Sequence, residues 1–529
     1  MDNTLGYELR NCGSIPCVGT KKIKDTTMYD YIFFTDVTDT VLTQKAIGAY
    51  KVANILRQQG RRCLVIDHLH SWSIEEFKQL VDLCVDENTK AIGISTSFLM
   101  NSNTQPQDDG SVRYSQFSAN TSVFPQGKEF ENTALEYVKS KNPAIKVIAG
   151  GVNVHNNISN KNINFVVIGY AETAILDIDR HLEHSDPIPN AIKNVWGITV
   201  IKNQVADNYD FKNSRFQWEN TDTVNARVLP IEIARGCIFK CKFCSYPLNG
   251  KNNLDFVRSA ELLREELQRN YDQFGIKYYS ILDDTFNDNE HKLNLMLEAV
   301  NKLSFQPIFW AYTRLDLLTT KQHVNKLYDI GLRSFYFGIE SMNPETGRIV
   351  GKGFDRNRQI ETIQDIRSRY PDVAMHGSFI IGLPKESKES VIDTFEKCLS
   401  QDIPLHSWLF KGLRLYKPSM AAWSSELDLN YQKYGYEQLP TPEDSAMINW
   451  RNSYMDCFEA NDLAKEFHDR SQNSDHMMAS GTTVWPLKNY GYSQEYLHNL
   501  VARDINWHQI TQDKEKFVTA YKQKLLSMI

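Results

Sequence analysis

Apolar residues fall in two alternating rhythms along the first third of the chain. Five short unbroken runs read as buried parallel strands: Tyr31-Ile-Phe-Phe-Thr-Asp36, Cys63-Leu-Val-Ile-Asp67, Ala91-Ile-Gly-Ile-Ser95, Lys146-Val-Ile-Ala-Gly-Gly151 and Phe165-Val-Val-Ile-Gly169. Between them the apolar positions recur at helical spacing. Ala46, Ala49, Val52, Ala53 and Leu56 share one face of a helix predicted from Thr43 to Gln59, closed by Gly60. Ser73 caps a second helix running to Glu87, with Glu75 and Glu76 in its first turn. A third helix, from Glu129 to Ser140, follows a polar insert at Asn101 to Asp109.

This alternation is the signature of a doubly wound α/β domain, assigned to residues 25–185 after an N-terminal extension at 1–24. Such sheets bind ligands at the carboxyl ends of their strands. Ser95, the pair Gly150-Gly151, and Gly169 with Glu172 lie at those ends. The glycines admit a flat ligand close to the backbone, or else serve only as tight turns. No Gly-x-Gly-x-x-Gly follows the first strand and no phosphate-binding Gly-x-x-x-x-Gly-Lys-Ser/Thr occurs, which argues against an ordinary dinucleotide or nucleoside triphosphate site. Residues 186–228 are polar and mixed and read as a linker with one or two short strands, such as Gly197-Ile-Thr-Val200.

Composition narrows the class. The 529 residues are 41% hydrophobic and 23% charged, with a formal net charge of -6 and no basic block, so general nucleic-acid binding is not expected. No run reads as a membrane span and the first residues lack an apolar signal core, so a cytoplasmic location is expected. Nine cysteines are too sparse for a disulfide framework. Three of the nine, however, sit in Arg235-Gly-Cys237-Ile-Phe-Lys-Cys241-Lys-Phe243-Cys244. Thiolates at C-x3-C-x2-C spacing suit an iron-sulfur cluster. A structural zinc site wants a fourth ligand, and Ser245-Tyr-Pro-Leu-Asn supplies neither Cys nor His. Three protein ligands on a four-iron cluster leave one iron open to chelate a cosubstrate. Cys12, Cys17, Cys63, Cys84, Cys398 and Cys457 form no second cluster motif.

Strand and helix alternate again over 229–420, as in a partial TIM barrel. Polar residues stand at the predicted strand ends: Asp283 and Asp284 after Tyr278-Tyr-Ser-Ile-Leu, Arg314 after Phe309-Trp-Ala-Tyr-Thr, Glu340 and Ser341 after Ser334-Phe-Tyr-Phe-Gly-Ile, then Lys352, Ser378 and Gly382. Residues 421–529 read as a mostly helical region, with helices at Tyr454 to Phe467 and Asp513 to Leu526, expected to cap the open side of the barrel. Tyr431, Tyr434, Tyr436, Trp450 and Trp485 are its candidate pocket walls, with ordinary packing the commoner fate of such rings.

The cysteine motif, with Phe243 just before its third Cys, resembles that of radical S-adenosylmethionine (SAM) enzymes. Together with Ala46 to Gly60, Gly93-Ile-Ser95-Thr-Ser97, Gly150-Gly151 and Gly169-x-x-Glu172, it resembles the cobalamin-dependent branch of that family over residues 25 to 420. The resemblance implies a [4Fe-4S] cluster on Cys237, Cys241 and Cys244, S-adenosyl-L-methionine as cosubstrate and cobalamin on the front domain. It implies cosubstrate contacts from Asp283, Asp284, Arg314, Glu340, Ser341, Lys352, Ser378 and Gly382. It further implies a small-molecule or peptide substrate, an external electron donor such as flavodoxin or ferredoxin, and methyl transfer to an unactivated carbon, with rearrangement or cyclisation as the alternative. Many cobalamin proteins carry Asp-x-His-x-x-Gly after the first strand; here Asp36-Val-Thr38-Asp-Thr-Val41 has neither the His nor the Gly. A front domain that has lost cobalamin is therefore a second possibility. His68 and His70 follow the second strand and are expected to be structural. A non-enzymatic iron-sulfur or zinc interaction protein is the third reading.

Overall fold

The computed structural model describes residues 29–37, 45–96, 122–151, 154, 159–203, 209–246, 248, 250, 254–318, 320–353, 355–418, 424–442, 445, 447–479 and 485–529. Cys12, Cys17, the extension at 1–24, the insert at 101–109 and the loop from Thr38 to Val41 lie outside the described residues.

The front domain is built on β1 (Tyr31–Phe34), β2 (Cys63–Ile66), β3 (Ala91–Ser95), β4 (Lys146–Gly150), β5 (Phe165–Gly169), β6 (Ala191–Lys193) and β7 (Thr199–Asn203), in the order β2-β1-β3-β4-β5-β7-β6. All neighbours are parallel except β6 and β7. The chain winds outward in opposite directions from β1 and β3, which opens a crevice at their carboxyl ends. The one or two short strands expected in the linker are β6 and β7, and they join the front sheet: β7 runs parallel to β5 from Phe165↔Thr199 to Gly169↔Asn203.

Four helices cover this sheet: α1 (Ile47–Gln58), α2 (Ile74–Cys84), α3 (Lys128–Lys141) and α4 (Glu172–His184). Side chains alternate across it. Tyr31 and Phe33 pack in the core beneath α1 and α4, while Ile32 and Phe34 pack beneath α2 and α3. Burial on both faces explains why these strands read as continuous apolar runs. Helix α2 begins at a complete capping box, with Ser73 and Glu76 exchanging side-chain to backbone bonds.

The second sheet comprises β8 (Val228–Ile231), β9 (Tyr278–Ile281), β10 (Ile308–Thr313), β11 (Leu332–Glu340), β12 (Ala374–Ile381) and β13 (Ser407–Gly412). These six strands are parallel and adjacent in chain order, an open barrel. Tyr279, Phe309, Phe335 and Phe337 face the surrounding helices within the main core. On the opposite pleat, Trp310, Tyr312, Tyr336 and His376 meet ring to ring inside the barrel.

The tail does more than cap the barrel. The helix Cys457–Gln472 packs on β13, where Trp408 Nε1 donates to Ser471 Oγ at 2.8 Å. A 3-10 helix at Trp485–Tyr490 closes the amino-terminal end of the barrel. There Asn489 Oδ1 accepts from the backbone N–H groups of Arg227 and Val228 at 2.9 and 3.2 Å. The last helix, Trp507–Met528, reaches back to the front domain, where Tyr521 and Leu525 join its core and Asp67 N donates to Tyr521 Oη at 2.9 Å. Of the predicted pocket walls, Tyr436, Trp450 and Trp485 are buried in packing. Among the described residues no helix is long and apolar enough to cross a membrane.

Trp450 is fully buried and donates from Nε1 to Leu413 O at 2.9 Å. Trp450→Ala is expected to cost about 3–5 kcal/mol of unfolding free energy, read from denaturant titration, because a large cavity and an unpaired carbonyl are left behind.

Candidate active site between the two sheets

The carboxyl ends of both sheets face one cavity of about 560 Å³. The front domain contributes Phe33, Gly48, Val52, Gly93, Ser95, Gly150, Gly151, Gly169 and Glu172, and the barrel contributes Glu232, Arg235, Gly236, Tyr246, Leu282 and Asp284. Five residues singled out in the front domain, Ser95, Gly150, Gly151, Gly169 and Glu172, therefore share one wall with Asp284 opposite. A Cβ on Gly150 would meet nothing nearer than 3.9 Å, and one on Gly48 nothing within 4 Å. Both backbones are open to a close-fitting ligand.

Four charges, three of them buried and Glu232 half-buried, meet at the seam beside this cavity. Lys51 on α1 pairs with Glu232 and stands 4.0 Å from Glu172; Arg235 pairs with Glu172 and, at 2.7 Å, with Glu232. Burial opposes ionisation of Glu232, yet Arg235 and Lys51 outweigh it and hold that carboxyl down to about 2. The Arg235 guanidinium lies 4.7 Å from the Phe211 ring and 4.9 Å from that of Tyr170. Glu172 Oε2 and Arg235 Nη1 remain buried without a hydrogen-bond partner in the chain. Lys51, Glu232 and Arg235 were not singled out by sequence reasoning; the signal available was a charged pair, Glu232 and Arg235, flanking an otherwise apolar strand end.

The cysteine loop leaves the end of β8. Gly236, at φ +76, makes the turn, and a Cβ there would sit 2.5 Å from Leu248 O. Cys237 is buried, Cys241 and Cys244 half-buried. Two carboxylates and a lysine hold this loop from behind. Asp283 Oδ1 accepts from the N–H groups of Ile233 and Ala234, both at 2.9 Å; Asp288 Oδ2 accepts from Ile238 N at 3.2 Å. Lys292, itself buried, lies 3.3 Å from Asp283 and 2.6 Å from Asp288. Asp283 is thus committed to bracing the loop, whereas Asp284 faces the cavity.

Around the thiols, Arg314 Nη1 donates to Cys241 Sγ at 3.3 Å, and its other donors go to Asp316 and to Gly351 O. Thr285 Oγ1 is 3.5 Å from Cys237 Sγ. Among the described residues no three His, Cys, Asp or Glu side chains converge on a single-ion site. Thiols that each bind a different iron of a cluster have no need to converge, and the all-sulfur donor set fits such a cluster.

The remaining predicted residues sit on the far side of the loop. Glu340 ends β11 at a register break, with φ 68, a conformation costly for a residue bearing a Cβ. It lies 3.4 Å from Lys352 Nζ, which donates to Gly338 O at 2.8 Å and stands 5.8 Å from the Phe243 ring. Ser341 Oγ donates to Glu386 at 2.6 Å, Ser378 stands opposite Gly338 in the β11–β12 register, and Gly382 lies under Trp450. His68 is buried beside Tyr521, and His70 Nδ1 is 2.8 Å from Asp36; neither lines the cavity.

Residues 231–398 match the Radical SAM superfamily. That segment, the six-stranded sheet from the end of β8 to the helix before β13, is similar to a radical SAM core. An uncharacterized methyltransferase of Pyrococcus horikoshii is 30% identical over 208 residues, 38% of this chain and 44% of that relative. The chain therefore spans under half of that curated relative's length. Among solved structures, the radical SAM methyltransferase TsrM of Kitasatospora setae, with cobalamin and a [4Fe-4S] cluster bound, aligns with a TM-score of 0.59 at 14% identity, covering 94% of this chain and all of that one (100%). The cobalamin-dependent radical SAM enzyme OxsB, with aqua-cobalamin and SAM bound, aligns with a TM-score of 0.58 at 14% identity, covering 95% and 80%. At that identity the likeness is one of fold: a front α/β domain, a radical SAM core and a helical carboxyl-terminal region.

Two outcomes test this geometry. Gly236→Ala is expected to lower iron retained after anaerobic reconstitution, because the strained turn and the clash with Leu248 O displace Cys237. For Asp284, burial and then the neighbouring Asp283 charge push the carboxyl up to about 7. The folded chain thus holds a proton that the unfolded chain releases in the ordinary carboxylate range, and stability falls as pH rises from about 4 to about 7. Asp284→Asn is expected to make that decline shallower in denaturant titrations of the cofactor-free chain.

Proposed function

We propose that this chain is a cobalamin-dependent radical SAM enzyme that transfers a methyl group to an unactivated carbon. The observation that carries the reading is the shared cavity: the front-domain strand ends and the cysteine loop of the radical SAM core open onto the same space. When bound, the cluster with SAM would supply the radical chemistry that activates a substrate carbon, and cobalamin would supply the methyl group. Cys237, Cys241 and Cys244 are the thiolates for the cluster. Gly150, Gly151 and Gly169 give a flat corrin room against the front sheet, and the unpartnered Glu172 Oε2 and Arg235 Nη1 offer one acceptor and one donor to its amide side chains.

The chain's own residues have separate tasks. Glu340 and Ser341, at the end of β11, and Lys352 beyond it would meet the ammonium, ribose or carboxylate of SAM. Arg314 is already engaged by Asp316, Gly351 and Cys241, so its role is to anchor the cysteine loop and set the electrostatics at Cys241. Domain apposition excludes water from the reacting centre. The methyl-transfer outcome is supported by the methyltransferase among the relatives and by the fold shared with TsrM.

Anaerobic reconstitution with iron, sulfide and hydroxocobalamin tests the reading. About four irons and about one corrinoid per chain are expected, with iron lost in the Cys237→Ala, Cys241→Ala, Cys244→Ala variant. Four irons with no retained corrinoid would refute the cobalamin assignment while leaving the radical SAM core standing.

A further inference from the structure

A second cavity, of about 340 Å³, opens where the two domains meet, apart from the shared one. Three pieces of chain enclose it: the last turns of α1, the connecting segment 215–219, and the barrel helix Ala260–Phe274. One stripe of α1 serves both cavities. Ile47 and Lys51 line the first; Asn54 and Gln58, farther along the same face, line the second.

Most polar groups around the second cavity are already spent. Asn54 donates to Gln217 O at 3.0 Å and accepts from Gln58, which also donates to Arg215 O. Asp222 holds Arg57 at 2.6 and 3.1 Å, and Arg215 pairs with Glu265 at 2.6 Å. Two charges are left over. Arg269 Nη2 donates to Phe216 O at 2.6 Å, its Nε is buried with no acceptor, and no carboxylate of the described residues pairs with its guanidinium. Glu219 is bonded to Asp222 and Thr223 through its backbone alone, and no cation pairs with its carboxylate.

An unpaired guanidinium and an unpaired carboxylate thus border one cavity without meeting each other. With Asp222 behind Arg57, the charges here balance at three of each sign, Arg57, Arg215 and Arg269 against Glu219, Glu265 and Asp222. A simple anion would upset that balance, whereas a ligand carrying both signs answers both leftover charges and preserves it. Phe216 and Leu262 add apolar surface to the lining.

We infer that this cavity binds a small zwitterion of the α-amino-acid type with an apolar side chain, its carboxylate on Arg269 and its ammonium on Glu219. The site is separate from the cofactor cavity, so it stands or falls independently of the function proposed above. Its walls come from both domains, so a bound ligand bridges them and favours the docked arrangement.

Isothermal titration calorimetry on the full chain compares leucine with leucinamide, which lacks the carboxylate, and with 4-methylpentanoate, which lacks the ammonium. Leucine is expected to bind about tenfold more tightly than either, since each missing charge forfeits one charge-assisted contact. Glu219 is exposed, so Glu219→Gln spares the packing. It is expected to bring leucine down to the level of 4-methylpentanoate without weakening the latter. Arg269→Gln is expected to bring leucine down to the level of leucinamide. Equal binding of leucine and 4-methylpentanoate marks an anion site only and overturns the inference. Leucine binding that neither variant changes, or no leucine binding at all, overturns it as well.

Discussion

Lys51, Glu172, Glu232 and Arg235 form the interaction on which the rest of the site depends. Two of the four charges come from front-domain helices and two from the end of the first barrel strand. Each would be expensive to bury alone, by several kcal/mol; Lys51–Glu172 and Glu232–Arg235 each lie within one domain, whereas the closer Lys51–Glu232 contact and the Arg235–Glu172 contact form only when the two sheets are brought together in one register. The network therefore acts less as a source of stability than as a condition on docking. Its position matters as much as its charge. Arg235 stands two residues before Cys237 and Glu172 opens α4, so the register that satisfies the charges also sets the separation between the front-domain strand ends and the cysteine loop.

A second constraint works inside the barrel. The cysteine loop is held from behind by Asp283, Asp288 and Lys292 and from the side by Arg314. Carboxylates that accept backbone N–H bonds on both sides of Cys237 leave that loop little freedom before any metal arrives. The polar residues at barrel strand ends thus divide into two groups. Asp283 and Arg314 brace the loop, while Asp284 faces the open space. Adjacent residues on one strand end point to opposite sides of the sheet, which is why two neighbouring aspartates take different parts.

The tail ties these layers together. Its 3-10 helix seals the amino-terminal end of the barrel, opposite the reacting side, and its last helix docks on the front-domain core. Apolar burial at both ends makes the tail a strap between the two sheets. The rings over Gly382, Tyr436 and Trp450, are spent on that packing.

Local pattern was enough for much of this. Unbroken apolar runs marked β1 to β5 because both faces of a parallel sheet are buried, and the Ser73 cap placed the start of α2 within a residue. The cysteine spacing announced its chemistry because three thiolates in eight residues have few other uses. Ser95, Gly150, Gly151, Gly169 and Glu172 were legible as strand-end residues for the same topological reason. The sequence could not reveal which strand-end side chains face the cavity, that Lys51 belongs to the site, or that the tail returns to the front domain. Those depend on contacts between residues more than a hundred positions apart, such as Lys51 with Glu232 and Asp67 with Tyr521. Local periodicity encodes which face of an element is apolar, but only packing decides what that face meets, and here the meeting of two sheets creates the site.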